Sequence, residues 1–462
     1  MLDVIVIGGG ISGLTAAHEL MGAGLDVALL ERQVQAGGNA ISECFDGFLM
    51  EHGPTTFNAS APDAVAQIKE LGLLVSAADL GDGVKKRYLC DGDHLSGIAI
   101  SPLGFFRSSY LSLPARARML AEMVVPRGKA RDETIFDFAH RRFGREFAEK
   151  VIDPMVAGMF MGEAKALSVN GVFPKLVELE QRFGSISRGI LQAKRGSEPG
   201  RHLYSWQNGI ATLPQALAAR LGERVHLGVA VLKIRKTAGG FEVHTSEGTR
   251  RARAVLLAVQ PHVAAALLAP LAPNTADALR GISAPPVDVV FFGYERAQIS
   301  HPLDGLGFLT TGKSGKLISG AQFASTMYGQ RAPEGMVAIS AYLGGARHPD
   351  FGRAPEVERI AIAQQELASV LGIKGNPKVT RLRHWALGLP QYALGHQDIL
   401  KKVSGLPKET GGIYATGNYA QGVSMANCMA AAKGIAGRIF QDLGGEGSSE
   451  ILRASLPSGV SR

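Results

Sequence analysis

Cysteine is scarce in this sequence, and the few cysteines that it has are far apart. Cys44, Cys90 and Cys428 show no C-x-x-C spacing, and no cluster of histidines lies near any of them. This pattern argues against a disulfide framework and against a metal site, and we predict that no metal is bound. The expected environment is a reducing compartment, in which thiols stay free.

Long hydrophobic runs are also missing. The longest apolar span, residues 252–272, is interrupted by Gln260-Pro261-His262 and predicts a strand, a turn and a short helix instead of a membrane crossing. No charged leader precedes an apolar stretch, because the first predicted strand begins at residue 3, so no signal peptide is expected. We therefore expect a cytoplasmic protein, either soluble or attached peripherally to the inner face of the membrane.

The basic excess lacks the pattern that nucleic acid binding requires. Lys and Arg outnumber Asp and Glu by 49 to 41, which gives a net charge of +8. No stripe of basic residues alternates with aromatic residues, so we predict no nucleic acid partner. The charge suits an acidic small substrate or an anionic membrane surface.

Glycine and apolar residues, by contrast, are abundant. The 58 glycines and the apolar content of 46% in 462 residues predict an α/β fold with many tight turns and two to three domains. Residues 3–7 form a short β-branched run that predicts a buried strand, and a helix pattern follows from Leu14. A second strand is predicted at 26–30.

The link between that first strand and its helix satisfies G-x-G-x-x-G with Gly8, Gly10 and Gly13, and Glu31 follows at the tip of the second strand. This is the dinucleotide fingerprint in its βαβ context. Gly8 allows the tight turn, Gly10 lets the backbone approach a pyrophosphate, and Gly13 lets helix and strand pack closely. The acid would accept hydrogen bonds from ribose hydroxyls and disfavours a 2′-phosphate, and hence NADP.

A second glycine pair, Gly37-Gly38, follows six residues after Glu31. Flavoproteins of the amine-oxidase type carry such a pair, in which bare backbone can lie against a ligand. The pair therefore favours FAD over NAD. A plain turn after the strand is the alternative.

The middle of the chain has helical character. Residues 132–156 predict one long helix, and Gly158 and Gly162 follow among bulky apolar residues, which is typical either of a close approach by a large ligand or of helix packing. Apolar residues at 105–111 lie beside Arg107 and Arg116. This pattern indicates either an interfacial membrane segment or ordinary amphipathic helices, and both interpretations stay open.

These changes in pattern predict an α/β fold in four parts. A Rossmann-type FAD-binding domain is built from three pieces, with an inserted helical domain, a mixed-sheet substrate-binding domain and a disordered Gly/Ser-rich tail. The boundaries are 1–84, 201–286 and 386–443 for the FAD-binding domain, 85–200 for the helical domain, 287–385 for the substrate-binding domain and 444–462 for the tail.

Beyond the fingerprint, several longer motifs resemble one family. They are EHGPTTF (51–57), VIDPMVAGMFMGEAKALSV (151–169), FPKLVELE (173–180), GIATLPQAL (209–217), RAPEGMVAISAYLGGAR (331–347), LPQYALGH (389–396) and GNYAQGVSMANC (417–428). The chain resembles the FAD-dependent protoporphyrinogen oxidases and their coproporphyrinogen-oxidising relatives, within the amine-oxidase-like flavoproteins. The resemblance covers residues 4 to about 439.

The resemblance implies a set of site residues. Val231 would meet the adenine side through its backbone, and Val423, Ser424 and Met425 would lie at the flavin ring. The residues expected to contact FAD are Gly8, Gly9, Gly10, Ile11, Ser12, Gly13, Glu31, Arg32, Gly38, Asn39, His52, Gly53, Pro54, Thr55, Val231, Gly417, Val423, Ser424 and Met425. Those expected at the substrate are Gly158, Met161, Leu306, Leu309 and, for a propionate, Arg107.

The resemblance also implies a reaction. A porphyrinogen, with protoporphyrinogen IX as the expected substrate, would lose hydride from a methylene bridge and a proton from a pyrrole N–H in three rounds. Dioxygen or another acceptor would reoxidise the flavin, and a monomer or homodimer is expected. No paired-carboxylate or His/Asp constellation stands out, so no catalytic acid or base is named, and His52 is better explained as a loop residue.

Departures from the family pattern keep other functions open. Asn39, His52, Thr55-Thr56, Thr310-Thr311 and Asn427 differ from the usual residues, and 95–112 keeps little of the pattern. An amine oxidase would want an aromatic cage at the flavin, toward which the final loop offers Tyr419 but then Val423 and Met425. The further alternatives are a polyene desaturase, a non-enzymatic flavoprotein and a chaperone-like tetrapyrrole carrier.

Overall fold

The computed structural model of the protein describes residues 1–59, 62–99, 108–193 and 203–445. Arg107, the expected propionate ligand, lies outside the described residues. So does the predicted tail from residue 446 onward.

The strands occur in both halves of the chain. Their bounds are β1 Leu2–Ile7, β2 Val27–Glu31, β3 Ser42–Phe45, β4 Phe48–Glu51, β5 Phe57–Asn58, β6 Ala77–Asp79, β7 Lys86–Asp91, β8 His94–Ala99, β9 Leu203–Trp206, β10 Val225–Leu227, β11 Val231–Thr237, β12 Gly240–Thr245, β13 Gly248–Leu257, β14 Val287–Glu295, β15 Gly305–Thr310, β16 Ile318–Gln322, β17 Met336–Gly344, β18 Val379–Trp385 and β19 Ile413–Ala415.

The helices include several short ones in the middle of the chain. Their bounds are α1 Ile11–Gly22, α2 Pro62–Glu70, α3 Leu113–Leu120, α4 Ile135–Phe143, α5 Arg145–Phe147, α6 Asp153–Phe160, α7 Val169–Val172, α8 Pro174–Phe183, α9 Ile186–Ala193, α10 Thr212–Leu221, α11 Pro261–Leu268, α12 Pro273–Arg280, α13 Ala324–Met327, α14 Glu356–Leu371, α15 His396–Thr410 and α16 Met425–Asp442. The structure also contains 3₁₀ turns (Ala121–Val124, Gly222–Arg224, Arg296–Gln298 and Phe351–Arg353) and a π-helical turn (Ala148–Ile152).

The first sheet is the predicted nucleotide-binding sheet. Its strands run in parallel in the order β10-β2-β1-β13, and β19 adds in parallel to the far edge of β13. The long strand β13 divides that edge between two partners, since Ala252 pairs with β12 and Val255 pairs with Ile413 of β19. Residues 255–257 of β13 therefore lie in the parallel sheet, between β1 and β19.

Helices cover both faces of this sheet because its central strand is buried on both sides. Val4 and Val6 of β1 pack with α1, α10 and α16, whereas Ile5 and Ile7 pack with α11, α12 and α15. A continuous apolar strand of this kind is typical of a parallel sheet buried between two helix layers. The predicted Rossmann-type fold is confirmed.

The second sheet is mixed, with the order β18-β14-β17-β16-β15-β7-β8. The hairpin β7–β8 extends it, because β7 pairs in parallel with β15 through Leu89 and Leu309. The sequence placed residues 86–99 in the helical part, and that placement is wrong. Within the described ranges, the first helix after β8 is α3, and the mixed sheet gains two strands from the chain before it.

The two faces of the second sheet have different neighbours. Val290 and Phe292 point to the core under α14. On the opposite face, Phe48 of the β3–β4 hairpin covers one end, so close that a Cβ on Gly293 would lie 2.5 Å from its ring. Val287 and Val289 occupy the other end of that face, which is open to a cavity.

The predicted long helix over 132–156 is wrong in its continuity. Gly144 has φ = +97° and ends α4, and the chain resumes as α5, the π-helical turn and α6, which has Pro154 in its first turn. A glycine with positive φ terminates a helix because other residues adopt that conformation only at a cost. Among the described residues, no helix is long and apolar enough to cross a membrane.

Candidate functional site

A single large cavity connects the first sheet, the second sheet and the helical part. Its volume is about 2960 Å³. Pockets for one drug-sized ligand usually measure about 300–1,000 Å³. This cavity therefore has room for a dinucleotide and for a second large ligand.

The turn after β1 forms the nucleotide end of the cavity. Gly8 has φ = +109°, and a Cβ on Gly13 would lie only 1.9 Å from the Gly8 oxygen, so the predicted close packing is confirmed. Gly10 is the N-cap of α1 and offers no side chain to the N–H groups of the first turn. The free N–H groups and the helix dipole form an anion site suited to a pyrophosphate.

Glu31 is held at the end of β2 by two backbone hydrogen bonds. One carboxylate oxygen accepts from the Gly9 N–H over 2.6 Å, and the other accepts from the Gln33 N–H over 2.7 Å. A carboxylate has about four lone-pair sites, so each oxygen keeps capacity for a ribose hydroxyl. Its position beside the fingerprint is the one predicted for a ribose-binding acid.

The second glycine pair packs directly against the fingerprint. The Gly37 N–H donates to the Gly9 oxygen over 2.8 Å, and a Cβ on Gly38, which has φ = +59°, would lie 3.0 Å from the Gly10 Cα. The contact leaves a bare backbone surface of Gly10 and Gly38 at the cavity wall. A cofactor can approach this surface without meeting a side chain.

The last helix, α16, begins at the same cavity. Gly422 has φ = +112°, and the Ser424 hydroxyl caps the helix by accepting from the Asn427 N–H. Val423, Ser424 and Met425 line the cavity. A helix N-terminus at this position would stabilise negative charge on a flavin ring held there.

Cys428 lies in the first turn of α16 and also lines the cavity. Burial raises the pKa of its thiol to about 11, although a hydrogen bond with Ser12 opposes the shift. The thiol is therefore protonated at neutral pH, and Cys428 is not an activated nucleophile.

The loop from His52 to Thr55 is fixed from two sides. The His52 imidazole lies 2.7 Å from the Glu43 carboxylate, and Trp385 Nε1 donates to the His52 backbone oxygen over 2.7 Å. A Cβ on Gly53 would lie 2.0 Å from the Asn39 oxygen, so the loop packs closely on the segment after Gly38. The contact with Glu43 gives His52 a structural role in the loop.

The structure brings most of the predicted cofactor residues to one wall. Gly9 and Gly13 do not line the cavity and pack behind it, against Glu31 and Gly8. The residues on the wall are Gly8, Gly10, Ile11, Ser12, Glu31, Arg32, Gly38, Asn39, His52, Gly53, Pro54, Thr55, Val231, Gly417, Val423, Ser424 and Met425. Their direct contact with a cofactor stays a prediction.

The far end of the cavity is built on one transverse row of the second sheet. These residues are register partners across six strands and face the cavity. We call them the floor row: Arg383, Val289, Tyr342, Gly320, Leu309 and Leu89.

Helix α6 closes this end against the floor row. A Cβ on Gly158 would lie 2.2 Å from the Leu309 side chain, so the helix depends on glycine for its approach. Met161 follows in the left-handed conformation with φ = +49°, and its oxygen accepts from the Ala346 N–H over 2.7 Å. Gly158, Met161, Leu306 and Leu309, which the resemblance implied at the substrate, all line the cavity. Their contact with a substrate stays a prediction.

The polar side chains of this end were not predicted from the sequence. Arg87, Arg383, Tyr342 and Gln322 line the cavity from strands β7, β18, β17 and β16. Alternation within these strands could have placed each side chain on one of two faces. Nothing local could show which face meets the helical part, so the sequence named Arg107 alone.

The residues present fit FAD. The bare glycine surface and the free first turn of α1 suit a pyrophosphate, Glu31 suits a ribose, and the first turn of α16 suits the ring. In addition, the remaining volume and the floor row leave space for a substrate beside that ring.

Comparisons with known proteins agree with this geometry. Residues 11–440 match the family of flavin containing amine oxidoreductases. The chloroplastic protoporphyrinogen oxidase of Nicotiana tabacum is 30% identical, over 95% of this chain and 85% of that protein. The coproporphyrinogen III oxidase of Bacillus subtilis (strain 168) is 26% identical, over 92% of this chain and 95% of its own length.

Solved structures share the fold over nearly the whole chain. A proposed protoporphyrinogen oxidase from Exiguobacterium sp. 255-15 superposes with a TM-score of 0.81 at 23% identity, covering 96% of this chain and 99% of that one. A putrescine oxidase with a redesigned cofactor site superposes with a TM-score of 0.73 at 18% identity, covering 95% of this chain and 99% of that one. The resemblance found in the sequence is confirmed. The chain belongs to the flavin containing amine oxidoreductase family and is an FAD-dependent oxidoreductase.

Proposed function

We propose that this chain oxidises a porphyrinogen to the porphyrin in haem biosynthesis, with protoporphyrinogen IX converted to protoporphyrin IX and dioxygen or another acceptor as oxidant. The observation that carries the proposal is the cavity itself, which continues from the bare backbone surface of Gly10 and Gly38 to the floor row. The names of the relatives support the same substrate class. Oxidation of such a macrocycle needs a wide apolar space beside the ring of the cofactor. We call the part of the cavity between α6 and the floor row the slot.

FAD, when bound, supplies the hydride acceptor. The chain supplies binding and orientation. Gly158 and Leu309 bring α6 and the second sheet together at the slot, and Val287, Val289 and Leu89 give it apolar walls that exclude water. Burial of a flat apolar ring between these surfaces contributes about 25 cal/mol per Å².

Cationic side chains border the slot at both edges. Arg87 lies on β7 and Arg383 on β18, which are five strand spacings apart, or about 24 Å. Guanidinium groups bind carboxylates in a bidentate manner. Arg87 and Arg383 therefore suit a substrate with peripheral carboxylates, which is the role that the sequence analysis gave to Arg107.

An amine substrate is less well supported. Tyr419, the aromatic residue expected for a cage, is buried in the core below the first sheet and does not line the cavity. Among the described residues, Glu31 is the one carboxylate on the cavity wall, and it lies at the nucleotide end. An alkylammonium group would therefore meet arginines instead of an acid at the slot.

The test is anaerobic reduction of the purified holoenzyme. Protoporphyrinogen IX should bleach the flavin absorbance, and admission of air should then reoxidise the flavin and yield a fluorescent porphyrin, whereas putrescine should do neither. Arg87→Ala should raise KM about 10-fold or more through the lost charge-assisted hydrogen bonds, which are worth about 1.5–3 kcal/mol. Bleaching by putrescine without any by the porphyrinogen would overturn the proposal.

We also propose that the chain works in the cytoplasm, attached peripherally to the inner face of the membrane. Leu113, Leu120 and Val124 are 73%, 61% and 77% exposed along α3 and the turn after it, beside Arg116. An exposed apolar edge with basic neighbours suits an anionic bilayer surface. Cosedimentation with anionic vesicles should be lost in a Leu113→Ser/Leu120→Ser variant, and equal cosedimentation would contradict it.

A further inference from the structure

Near its centre the floor row has one polar side chain, that of Tyr342. Val289 and Leu309 flank Tyr342 and Gly320, and Gln322 lies two residues from Gly320 on the same face. In a slot lined by aliphatic side chains, a hydroxyl and an amide side by side are conspicuous. They need a hydrogen-bonding partner in every state of the site.

The two side chains satisfy each other only in part. The Tyr342 hydroxyl donates to the Gln322 Oε1 over 3.0 Å. Burial raises the pKa of the Tyr342 phenol, so it stays protonated and donates. Within the part of the chain that the structure describes, neither the two N–H groups of the Gln322 amide nor the lone pairs of the phenol oxygen have a further partner.

The pair lies next to the expected flavin position. Gln322 and Thr55 border the same small cavity of about 10 Å³, and Thr55 also lines the large cavity. Arg383 occupies the same floor row two strands away from Tyr342, or about 10 Å. Glu51 also borders the small cavity, but its carboxylate is paired with Arg331 at 3.5 Å. The two amide donors of Gln322 on the side of Arg383 therefore favour an acceptor group with negative charge on the ligand.

We propose that Tyr342 and Gln322 form a carboxylate subsite near the middle of the floor row, between the Arg383 and Arg87 edges of the slot. The inference rests on the proposed function. A porphyrinogen with propionates on every ring can place a carboxylate at this subsite. A porphyrinogen with a vinyl group at the subsite, as in protoporphyrinogen IX, leaves the amide donors of Gln322 without a partner. The pair therefore favours coproporphyrinogen III, which carries four carboxylates.

The discrimination has a physical origin in desolvation. A site built to hydrogen-bond a polar group rejects the analogue that lacks it, because its buried donors are then left unpaired. Protoporphyrinogen IX is accepted, but at lower efficiency. The subsite therefore changes the ratio of two substrates instead of the reaction itself.

The experiment compares kcat/KM for coproporphyrinogen III and protoporphyrinogen IX in the holoenzyme. In the unmodified chain the ratio should exceed one, and Tyr342→Phe and Gln322→Leu should each lower it about 10-fold. Tyr294→Phe is the matched control, because its buried hydroxyl makes no hydrogen bond among the described residues and Tyr294 lines neither the small nor the large cavity. That variant should leave the ratio unchanged.

A second measurement does not depend on turnover. Titration with coproporphyrin III and protoporphyrin IX, followed by quenching of porphyrin fluorescence, should show selective loss of coproporphyrin affinity in both variants. An unchanged ratio, or equal loss with both porphyrins, would overturn the subsite while leaving porphyrinogen oxidation intact. If the unmodified enzyme oxidises neither porphyrinogen, the proposed function itself fails.

Discussion

Trp385 and His52 are joined by a hydrogen bond from the indole Nε1 to the backbone oxygen over 2.7 Å. The bond connects the edge strand of the second sheet to the loop that lines the nucleotide half of the cavity. Gly53 packs on Asn39 in the same loop. The hydrogen bond therefore fixes the position of the loop at the nucleotide end of the cavity relative to the second sheet, which carries the floor row.

Trp385→Phe should weaken flavin binding although Trp385 is not among the predicted cofactor contacts. Loss of one hydrogen bond costs about 0.5–1.5 kcal/mol, which corresponds to a Kd for FAD raised about 2- to 12-fold. The measurement is fluorescence titration of the apoprotein with FAD. Thr380→Ser on the same strand is the control, and an unchanged Kd in the Phe variant would show that the loop is fixed by other contacts.

Gly13→Ala should prevent assembly of the nucleotide end. Its Cβ would lie 1.9 Å from the Gly8 oxygen and 3.2 Å from the Ala258 Cβ, and neither backbone can move without breaking the sheet. We expect a protein that is purified without flavin or is insoluble. Gly22→Ala in the same helix has no atom within 4 Å of its Cβ and should stabilise the helix by about 0.5–1 kcal/mol. Flavin content and thermal unfolding separate the two results.

The sequence was most informative where structure is local. The β1–α1–β2 unit could be predicted because one strand period, one helix period and one turn chemistry occur within forty residues. Gly144 also gave a usable signal, since an isolated glycine inside a helical pattern lowers the expectation of continuity. The apolar periodicity on both sides of Gly144 predicted one helix, and the glycine ended it.

The substrate half depends on contacts between distant residues. Leu89 pairs with Leu309 across more than two hundred residues, and no local pattern specifies such a partner. The sequence did not single out Arg87 for the same reason, because the cavity face of β7 is decided by β15. Tyr342 and Gln322 lie on neighbouring strands, two residues apart in register, and became visible as a pair only through the packing of β16 beside β17.

Stability should depend on pH through a buried carboxylate in the helical part. Burial raises the pKa of Glu122, but hydrogen bonds from Arg142, Ser185 and the Ile186 N–H outweigh it and lower the pKa to about 2 from its usual 4.5. A carboxyl with a lowered folded-state pKa stabilises the protein above its unfolded pKa. That contribution is lost as pH falls from about 4.5 toward 2.

Glu122→Gln tests this pair directly. At pH 7 the substitution removes one of the two buried carboxylates that face Arg142 and leaves Glu180 at 3.2 Å as the other. It should cost up to about 3–5 kcal/mol, read from the shift of the urea midpoint. Because the variant no longer titrates at 122, its deficit relative to the unmodified protein should shrink as pH falls below 4.5. Asp350→Asn is the control, since Asp350 and its partner Arg353 are exposed and the pair is worth less than about 1 kcal/mol. A deficit that stays constant with pH would contradict the assignment.

The contact between Gly158 and Leu309 should behave as a coupled pair. Gly158→Ala places a Cβ 2.2 Å from the Leu309 side chain, so Leu309 must move into the slot or α6 must retreat. Overpacking of this kind costs about 1–3 kcal/mol and narrows the space for a flat substrate. We expect a lower melting temperature and a lower kcat/KM for the porphyrinogen.

Leu309→Ala in the same chain removes the atoms that the added methyl group at position 158 would meet. The double variant Gly158→Ala/Leu309→Ala should therefore lose less than the sum of the two single variants, with a coupling energy of about 0.5–3 kcal/mol. Gly405→Ala in α15 has open space around its Cβ and serves as the control for a helix glycine far from the slot. Strict additivity in both melting temperature and kcat/KM would mean that α6 reaches the floor row through other contacts. Coupling in kcat/KM without coupling in melting temperature would mean that the two substitutions interact through the shape of the slot around the substrate. The packing of α6 on the second sheet would then not be the cause.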